Sequence, residues 1–108
     1  MKKGEIWIIE LPFKNGREQS GTRPCIIISD TKTDMVIVIP LTSNIQALRF
    51  PNTLEIKKSL ENNLEKDSIA LIFHIQSLDK KRFINKVGIL EDHYLKKIDE
   101  LLKKLIEL

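Results

Sequence analysis

Pro24-Cys25-Ile26-Ile27-Ile28-Ser29-Asp30-Thr31-Lys32-Thr33-Asp34-Met35-Val36-Ile37-Val38-Ile39-Pro40-Leu41 reads as two apolar runs joined by a polar link. The runs, Cys25–Ser29 and Met35–Leu41, are rich in β-branched residues, which favour strands. They are apolar on consecutive rather than alternate positions, the pattern of strands covered on both faces. The link Ser29–Asp34 is built of turn-forming residues and predicts a hairpin. Working outward, Glu5–Glu10, Asn52–Ile56, Ser68–Gln76 and Lys86–Ile89 have the same strand character.

The period changes at the end of the chain. Tyr94, Leu95, Ile98, Leu101, Leu102, Leu105 and Leu108 recur at three and four residues, while Lys96, Lys97, Asp99, Lys103 and Lys104 occupy the opposite face. That is an amphipathic helix, with Glu91 and Asp92 at its positive N-terminal end. The stripe lasts barely two heptads, too short for a coiled coil. The predicted class is therefore α+β, mainly β: six strands closing into a small barrel, with one helix packed across it.

At 108 residues and 12.5 kDa the chain, residues 1–108, reads as a single domain. Its composition, 42% hydrophobic and 31% charged, is that of a folded chain. No stretch approaches the roughly 20 apolar residues that span a bilayer. Ile6-Trp7-Ile8-Ile9 is too short for a secretory segment, so a cytoplasmic location and no membrane partner are expected. Cys25 is the one cysteine, which excludes an internal disulfide and a cysteine-based metal cluster. Its apolar neighbours predict a buried small hydrophobe rather than a nucleophile. The net charge of +3 is compatible with a nucleic-acid partner. Residues 91–108 hold four lysines and five acids, so the excess of positive charge lies on residues 1–90.

Zinc, protease and calcium-loop spacings are absent, as are phosphate-loop and dinucleotide fingerprints. No nucleophile-elbow motif surrounds a serine. An enzyme with this inventory would use metal-independent acid, base and electrostatic chemistry, with no cofactor. Cleavage of RNA suits it, because the ribose 2′-hydroxyl is itself the nucleophile. The protein must then align three atoms and stabilise a phosphorane. An arginine fork fits the phosphate, and a hydroxyl can donate to the remaining oxygen. Two polar segments between strands are candidates to carry such groups: residues 14–23, and Thr42-Ser43-Asn44.

Gly16-Arg17-Glu18-Gln19-Ser20-Gly21-Thr22-Arg23-Pro24 resembles the G-x-E-Q-x-G-x-R-P signature of the MazF/PemK toxin family. Gly4-Glu5-Ile6-Trp7 is similar to that family's opening strand, and Pro40-Leu41-Thr42-Ser43-Asn44 to its P-[IL]-T-S-N element. Asp67-Ser68, followed by Ser77-Leu78-Asp79-Lys80-Lys81-Arg82-Phe83, resembles a further block. With the terminal helix, the resemblance runs from Gly4 to about Leu102, four blocks in order. It implies an SH3-like β-barrel toxin, usually a homodimer, that cleaves single-stranded RNA without metal or cofactor. It also implies a cognate antitoxin as partner. Carried onto this chain, the catalytic pair is Arg23 and Thr42.

Arginine does not readily lose its proton, so charge stabilisation is the role that physical chemistry gives Arg23. Thr42 would orient the phosphate, with Ser43 and Asn44 as supporting donors. Glu18 either orients Arg23 or accepts the 2′-proton, and Gln19 shapes the loop or touches RNA. Where the family has Q-I-R, this chain has His74-Ile75-Gln76. His74 either lines the RNA groove, adding a titratable group, or is a hydrogen-bonded histidine on a strand face. Gln76 in place of arginine removes one phosphate contact from the substrate-binding set. His93 is expected to face solvent. A barrel of this type also occurs in CcdB-like gyrase inhibitors, which bind without cutting, so fold alone does not decide function. A degenerate module that only binds RNA or antitoxin is the third reading.

Overall fold

The computed structural model describes residues 1–11 and 21–108. Among them, seven strands and one α-helix follow in the order β1 (Glu5–Leu11), β2 (Gly21–Asp30), β3 (Met35–Thr42), β4 (Thr53–Ile56), β5 (Ser68–Leu71), β6 (Gln76–Asp79), β7 (Phe83–Ile89) and α1 (Asp92–Leu105). Short 3₁₀ turns cover Ile45–Arg49, Ile72–His74 and Lys80–Arg82. All strand pairs are antiparallel, along the path β4-β5-β3-β2-β1-β7, with β6 also on β3. No ladder joins β4 to β7, so the expected class holds but the sheet is curled rather than closed.

The strand read across Ser68–Gln76 is in fact broken. β5 pairs with Leu41 and Thr42, whereas β6 pairs with Met35 to Val38, farther along β3. One continuous strand cannot serve both stretches, so the chain leaves extended geometry at Leu71 and turns through Ile72–His74. Ile72 goes into the core, while Phe73 and His74 are left exposed. A run of consecutive apolar residues carries no sign of such a turn, which is why six strands become seven.

Consecutive apolar positions do mean cover on both faces. Ile26 and Ile27 are adjacent and both 0% exposed, yet they belong to different clusters. Ile26 joins Ile6, Ile39, Ile56 and Ile72 in one cluster, against which Tyr94, Leu95, Leu101, Leu102 and Leu105 of α1 pack. Ile98, at the centre of the helical stripe, is fully buried in it and contributes about 1.5–3 kcal/mol by the area rule. Ile27 joins Ile9, Cys25, Val36, Val38 and Leu78, covered by Trp7, Leu11 and Phe83. Leu108 lies beyond the end of α1 and is exposed, so the stripe stops at Leu105.

Two close approaches tie the helix end to the sheet. Gly4 adopts φ +96°, and a side chain there would meet Leu95 Cδ1 at 2.9 Å. Its carbonyl accepts the Leu90 N–H at 2.8 Å, just before the helix begins. Gly88 of β7 lies under the β4–β5 loop, where a Cβ would stand 2.5 Å from the Asn62 carbonyl oxygen. Both positions accept only glycine without movement of a neighbour.

Candidate active site

A cleft of about 860 Å³ opens beside the ends of β2 and β3. Thr22, Arg23 and Pro24 of β2 form one part of its wall, and Leu41, Thr42 and Ser43 another. The β4–β5 loop contributes Asn63, Leu64, Glu65, Lys66 and Ser68. Asn85, Lys86 and Val87 of β7, with Ile8 of β1, are the remaining described residues of its lining.

The sheet brings Arg23 and Thr42 to this cleft. The β2–β3 ladder ends with Cys25 opposite Pro40, a rung two residues from Arg23 on one strand and two from Thr42 on the other. Both residues are half-buried. Thr42 Oγ1 accepts the backbone N–H of Asn44 at 3.2 Å. An acceptor site of the hydroxyl is thereby engaged, and its proton remains available to donate outward. Asn44 turns its side chain to the backbone as well: Oδ1 accepts the Gln46 N–H at 3.0 Å and caps the 3₁₀ turn. Ser43 lines the cleft, whereas Asn44 is not among its lining residues.

The opposite walls are held by hydrogen bonds rather than left to side-chain freedom. Asn62 is 0% exposed, and its amide makes four bonds. Oδ1 accepts the N–H groups of Ser59 and Leu64, and Nδ2 donates to the Lys57 carbonyl and to Glu91 Oε1. Asn63 Nδ2 donates to the Val87 carbonyl at 3.1 Å, and Lys58 N–H to Asp67 Oδ1 at 2.9 Å. The loop is thus fixed to β7 and to the helix start, its buried polar groups satisfied.

Lys86 is held by Glu5, whose carboxylate lies 3.3 Å from its ammonium and also accepts the Trp7 indole N–H at 2.9 Å. Burial pushes the Glu5 carboxyl up. Hydrogen bonds from Trp7, the Lys2 backbone and Lys86 outweigh this and hold it below its ordinary 4.5. Among the described residues the cleft carries three cations, Arg23, Lys66 and Lys86, on three separate walls. Such an arrangement suits a polyanion with successive phosphates.

Cys25 lies next to this region and takes no part in it. Burial pushes its thiol up to about 12, against a smaller opposing pull from the Arg23 charge, so it stays a neutral core residue.

His74 and Gln76 are not among the described residues lining the cleft. His74 ends an exposed 3₁₀ turn, its ring 5.3 Å from that of Phe73, and its carbonyl accepts Gln76 Nε2 at 3.1 Å. It lies on no strand face, because the chain turns there to reach β6. His93 is exposed near the start of α1. Glu18 and Gln19 lie outside the described residues. Sequence reasoning missed Glu65, Lys66, Asn85 and Lys86. Their signal was faint: Glu65-Lys66 directly precedes the Asp67-Ser68 pair, and Asn85-Lys86 interrupts an otherwise apolar strand.

The profile of PemK-like, MazF-like toxins of type II toxin-antitoxin systems matches residues 2–106. Endoribonuclease MazF of Staphylococcus saprophyticus is 36% identical over 103 residues, covering 92% of this chain and 85% of that protein. The chain belongs to the PemK-like, MazF-like toxin family. Among solved structures, MazF from Deinococcus radiodurans superposes with a TM-score of 0.81 at 20% identity, covering 100% of this chain and 97% of that one. An endoribonuclease from mycobacterial species, in complex with its cognate antitoxin, gives 0.74 at 18% identity, with 98% and 94% covered. These two likenesses establish the fold. Among the described residues no helix is long and apolar enough to cross a membrane.

Proposed function

We propose that residues 1–108 form one toxin domain that cleaves single-stranded RNA at specific sequences without a metal ion or cofactor. The observation that carries this reading is the shared cleft of Arg23 and Thr42, flanked by Lys66 and Lys86. The 2′-oxygen attacks the adjacent phosphorus, its proton passes to a base, and the 5′-oxygen leaves with a proton. The products are a 2′,3′-cyclic phosphate and a 5′-hydroxyl. Arg23 stabilises the extra charge of the phosphorane and donates toward the leaving oxygen. Thr42 donates its free hydroxyl proton to a non-bridging oxygen, with Ser43 beside it. Lys66 and Lys86 hold neighbouring phosphates, and Glu18 and Gln19 act from the segment that precedes β2 in sequence.

The partners follow from the same reading: a cognate antitoxin, as the mycobacterial endoribonuclease has in its complex, and a second copy of the chain. Ile45, Leu48, Phe50 and Phe73, all exposed and close along the chain or stacked, offer apolar surface for such assembly. The site of action is the cytoplasm, where RNA is the accessible polyanion.

The test is incubation of the pure protein with mixed single-stranded RNA in EDTA. Cutting supports the reading. Intact RNA together with inhibition of DNA gyrase would replace it with a binding toxin.

A further inference from the structure

The exposed apolar surface beyond the cleft has two parts. Ile45 and Leu48 stand three residues apart on a 3₁₀ turn, one above the other, and make an aliphatic face. The second part is aromatic. Phe50 is 48% exposed and Phe73 41%, with ring centroids 6.1 Å apart and planes at 60°. The Arg49 guanidinium lies 5.2 Å from the centroid of the Phe50 ring, and the His74 ring lies 5.3 Å from that of Phe73. Arg49, Phe50, Phe73 and His74 thus form a chain of ring and cation contacts at the surface. An edge-on pair such as Phe50 and Phe73 does not stack face on face, so the rings do not cover one another's faces.

The backbone holds both rings in place. The Phe73 N–H donates to the Asn52 carbonyl at 3.3 Å, the Phe50 N–H to the Ala47 carbonyl at 3.1 Å, and Thr53 Oγ1 to the Phe50 carbonyl at 3.0 Å. Ile72, next to Phe73, is fully buried and anchors that turn in the core. Residues 42–54 and 68–78, which supply the two rings, include Arg49 and His74 and no carboxylate. Glu55, the next acid along β4, is paired with Lys57 at 3.2 Å. Both segments also run into the cleft. Thr42 and Ser43 line it just before the turn Ile45–Arg49, and Ser68 lines it at the start of β5, whose far end at Leu71 leads to Phe73. At about 2.0 Å per 3₁₀ residue and about 3.4 Å per strand residue, either route places the rings on the order of 10–15 Å from the cleft.

We propose that Phe50 and Phe73 form a stacking platform for unpaired bases of the RNA strand held in the cleft, a second binding site away from the scissile phosphate. The inference rests on the RNA reading above and adds to it residues that take no part in the chemistry. Every base has a flat π face, so exposed rings hold single strands with little sequence preference. Arg49, over the Phe50 ring, adds a positive charge for the backbone of the same strand. Assembly with a protein needs only apolar area, which Ile45 and Leu48 supply. Ring faces beside a cation, on segments free of carboxylates and continuous with the cleft, suit a polyanion carrying bases.

The experiment measures the affinity of the full chain for a mixed-sequence single strand of about 12 nucleotides, within the span of single-strand sites. The strand carries 2′-deoxyribose throughout, so the chemistry proposed above cannot cut it. A second strand of equal length keeps the phosphates and has a stable abasic sugar at every position. Phe50→Leu/Phe73→Leu keeps the apolar bulk and removes the flat faces. This pair should bind the base-bearing strand at least about tenfold more weakly than the wild type, the scale of one or two lost stacks. It should bind the abasic strand within about twofold of wild type, with an unchanged salt slope, because no phosphate contact is removed. Phe50→Tyr/Phe73→Tyr, with its ring faces kept, should match the wild type on both strands. Sedimentation should give all three proteins the same mass, and the single Leu variants carry the same test if the pair unfolds. Equal losses on the two strands, no loss on either, or a Tyr pair as weak as the Leu pair overturns the platform. A changed mass overturns it too, by assigning the rings to a protein interface. If the wild type cuts no RNA in EDTA, the enzymatic reading falls whatever the rings do. If it cuts RNA and the Leu pair binds both strands as the wild type does, the platform alone falls.

Discussion

Arg23 and Thr42 line one cleft because the β2–β3 ladder ends on the rung Cys25 opposite Pro40, two residues short of each. A hairpin core built for burial therefore aligns a guanidinium and a hydroxyl that are separated in sequence by both apolar runs and the link Ser29–Asp34. The same ladder explains why Cys25, so near the cleft, is inert: it belongs to the part of β2 that is closed inside the second cluster.

Removing the guanidinium should affect turnover far more than folding. Arg23→Ala is expected to lower the single-turnover rate by at least about 10²-fold, the cost of one lost oxyanion donor. Arg23→Lys should recover only part of this, since an ammonium lacks the planar fork. Rates on one RNA substrate, with melting curves of each variant, check the prediction.

Thr42 is expected to act through its hydroxyl proton. Thr42→Ser keeps both the acceptor for the Asn44 N–H and the outward proton, so it should cut within about tenfold of wild type. Thr42→Val removes both, and should lose about 10²-fold, the general scale for a single oriented donor. Comparable rates for the Ser and Val variants would mean that the hydroxyl takes no part in cleavage.

Gly88 offers a test of the loop's role without touching the cleft chemistry. A Cβ at this position would lie 2.5 Å from the Asn62 carbonyl oxygen, and backbone on both sides leaves no flexible tip to yield. Gly88→Ala should destabilise the fold by about 1–3 kcal/mol, as overpacking does. It should also slow cleavage beyond what unfolding explains, because the displaced loop carries Lys66. Urea unfolding together with rates at full folding separates the two effects.

Acid should unfold the protein through two named carboxylates. Burial raises both Glu5 and Glu91. It is outweighed at Glu5 by Trp7, the Lys2 backbone and Lys86, and at Glu91 by its own backbone N–H, Ser59, Asn62 and the charge of His93. Both are thus held below 4.5 in the folded state. A carboxylate depressed by folding contributes stability that is complete above its unfolded value and lost as pH falls through its folded value. Urea midpoints should therefore be flat above about pH 5.5 and fall below 4.5, and Glu5→Gln with Glu91→Gln should flatten that fall.

The sequence made the framework legible where its pattern has a single physical reading. Consecutive apolar residues in Cys25–Ser29 and Met35–Leu41 forecast strands covered on both faces, and Ile26 and Ile27 do divide between two clusters. The stripe from Tyr94 to Leu105 forecast the helix and its buried face. The break after Leu71 stayed hidden, because it arises from β5 and β6 sharing the edge of one partner strand. The cleft was half legible. Arg23, Thr42 and Ser43 sit in motifs, whereas Glu65, Lys66 and Lys86 reach the same space only through tertiary contacts of the β4–β5 loop and β7. His74 drew attention as a titratable residue in a strand-like run, but its turn carries it to the Phe73 surface.

The central claim is that the RNA supplies its own nucleophile within this cleft. An oligonucleotide carrying one 2′-deoxyribose at the mapped scissile position, incubated with the protein in EDTA, tests it most directly. The account predicts that this substrate stays intact, while the all-ribose version yields a cyclic phosphate and a 5′-hydroxyl. Cleavage of the deoxy-substituted bond, or 5′-phosphate ends from the all-ribose RNA, would contradict it.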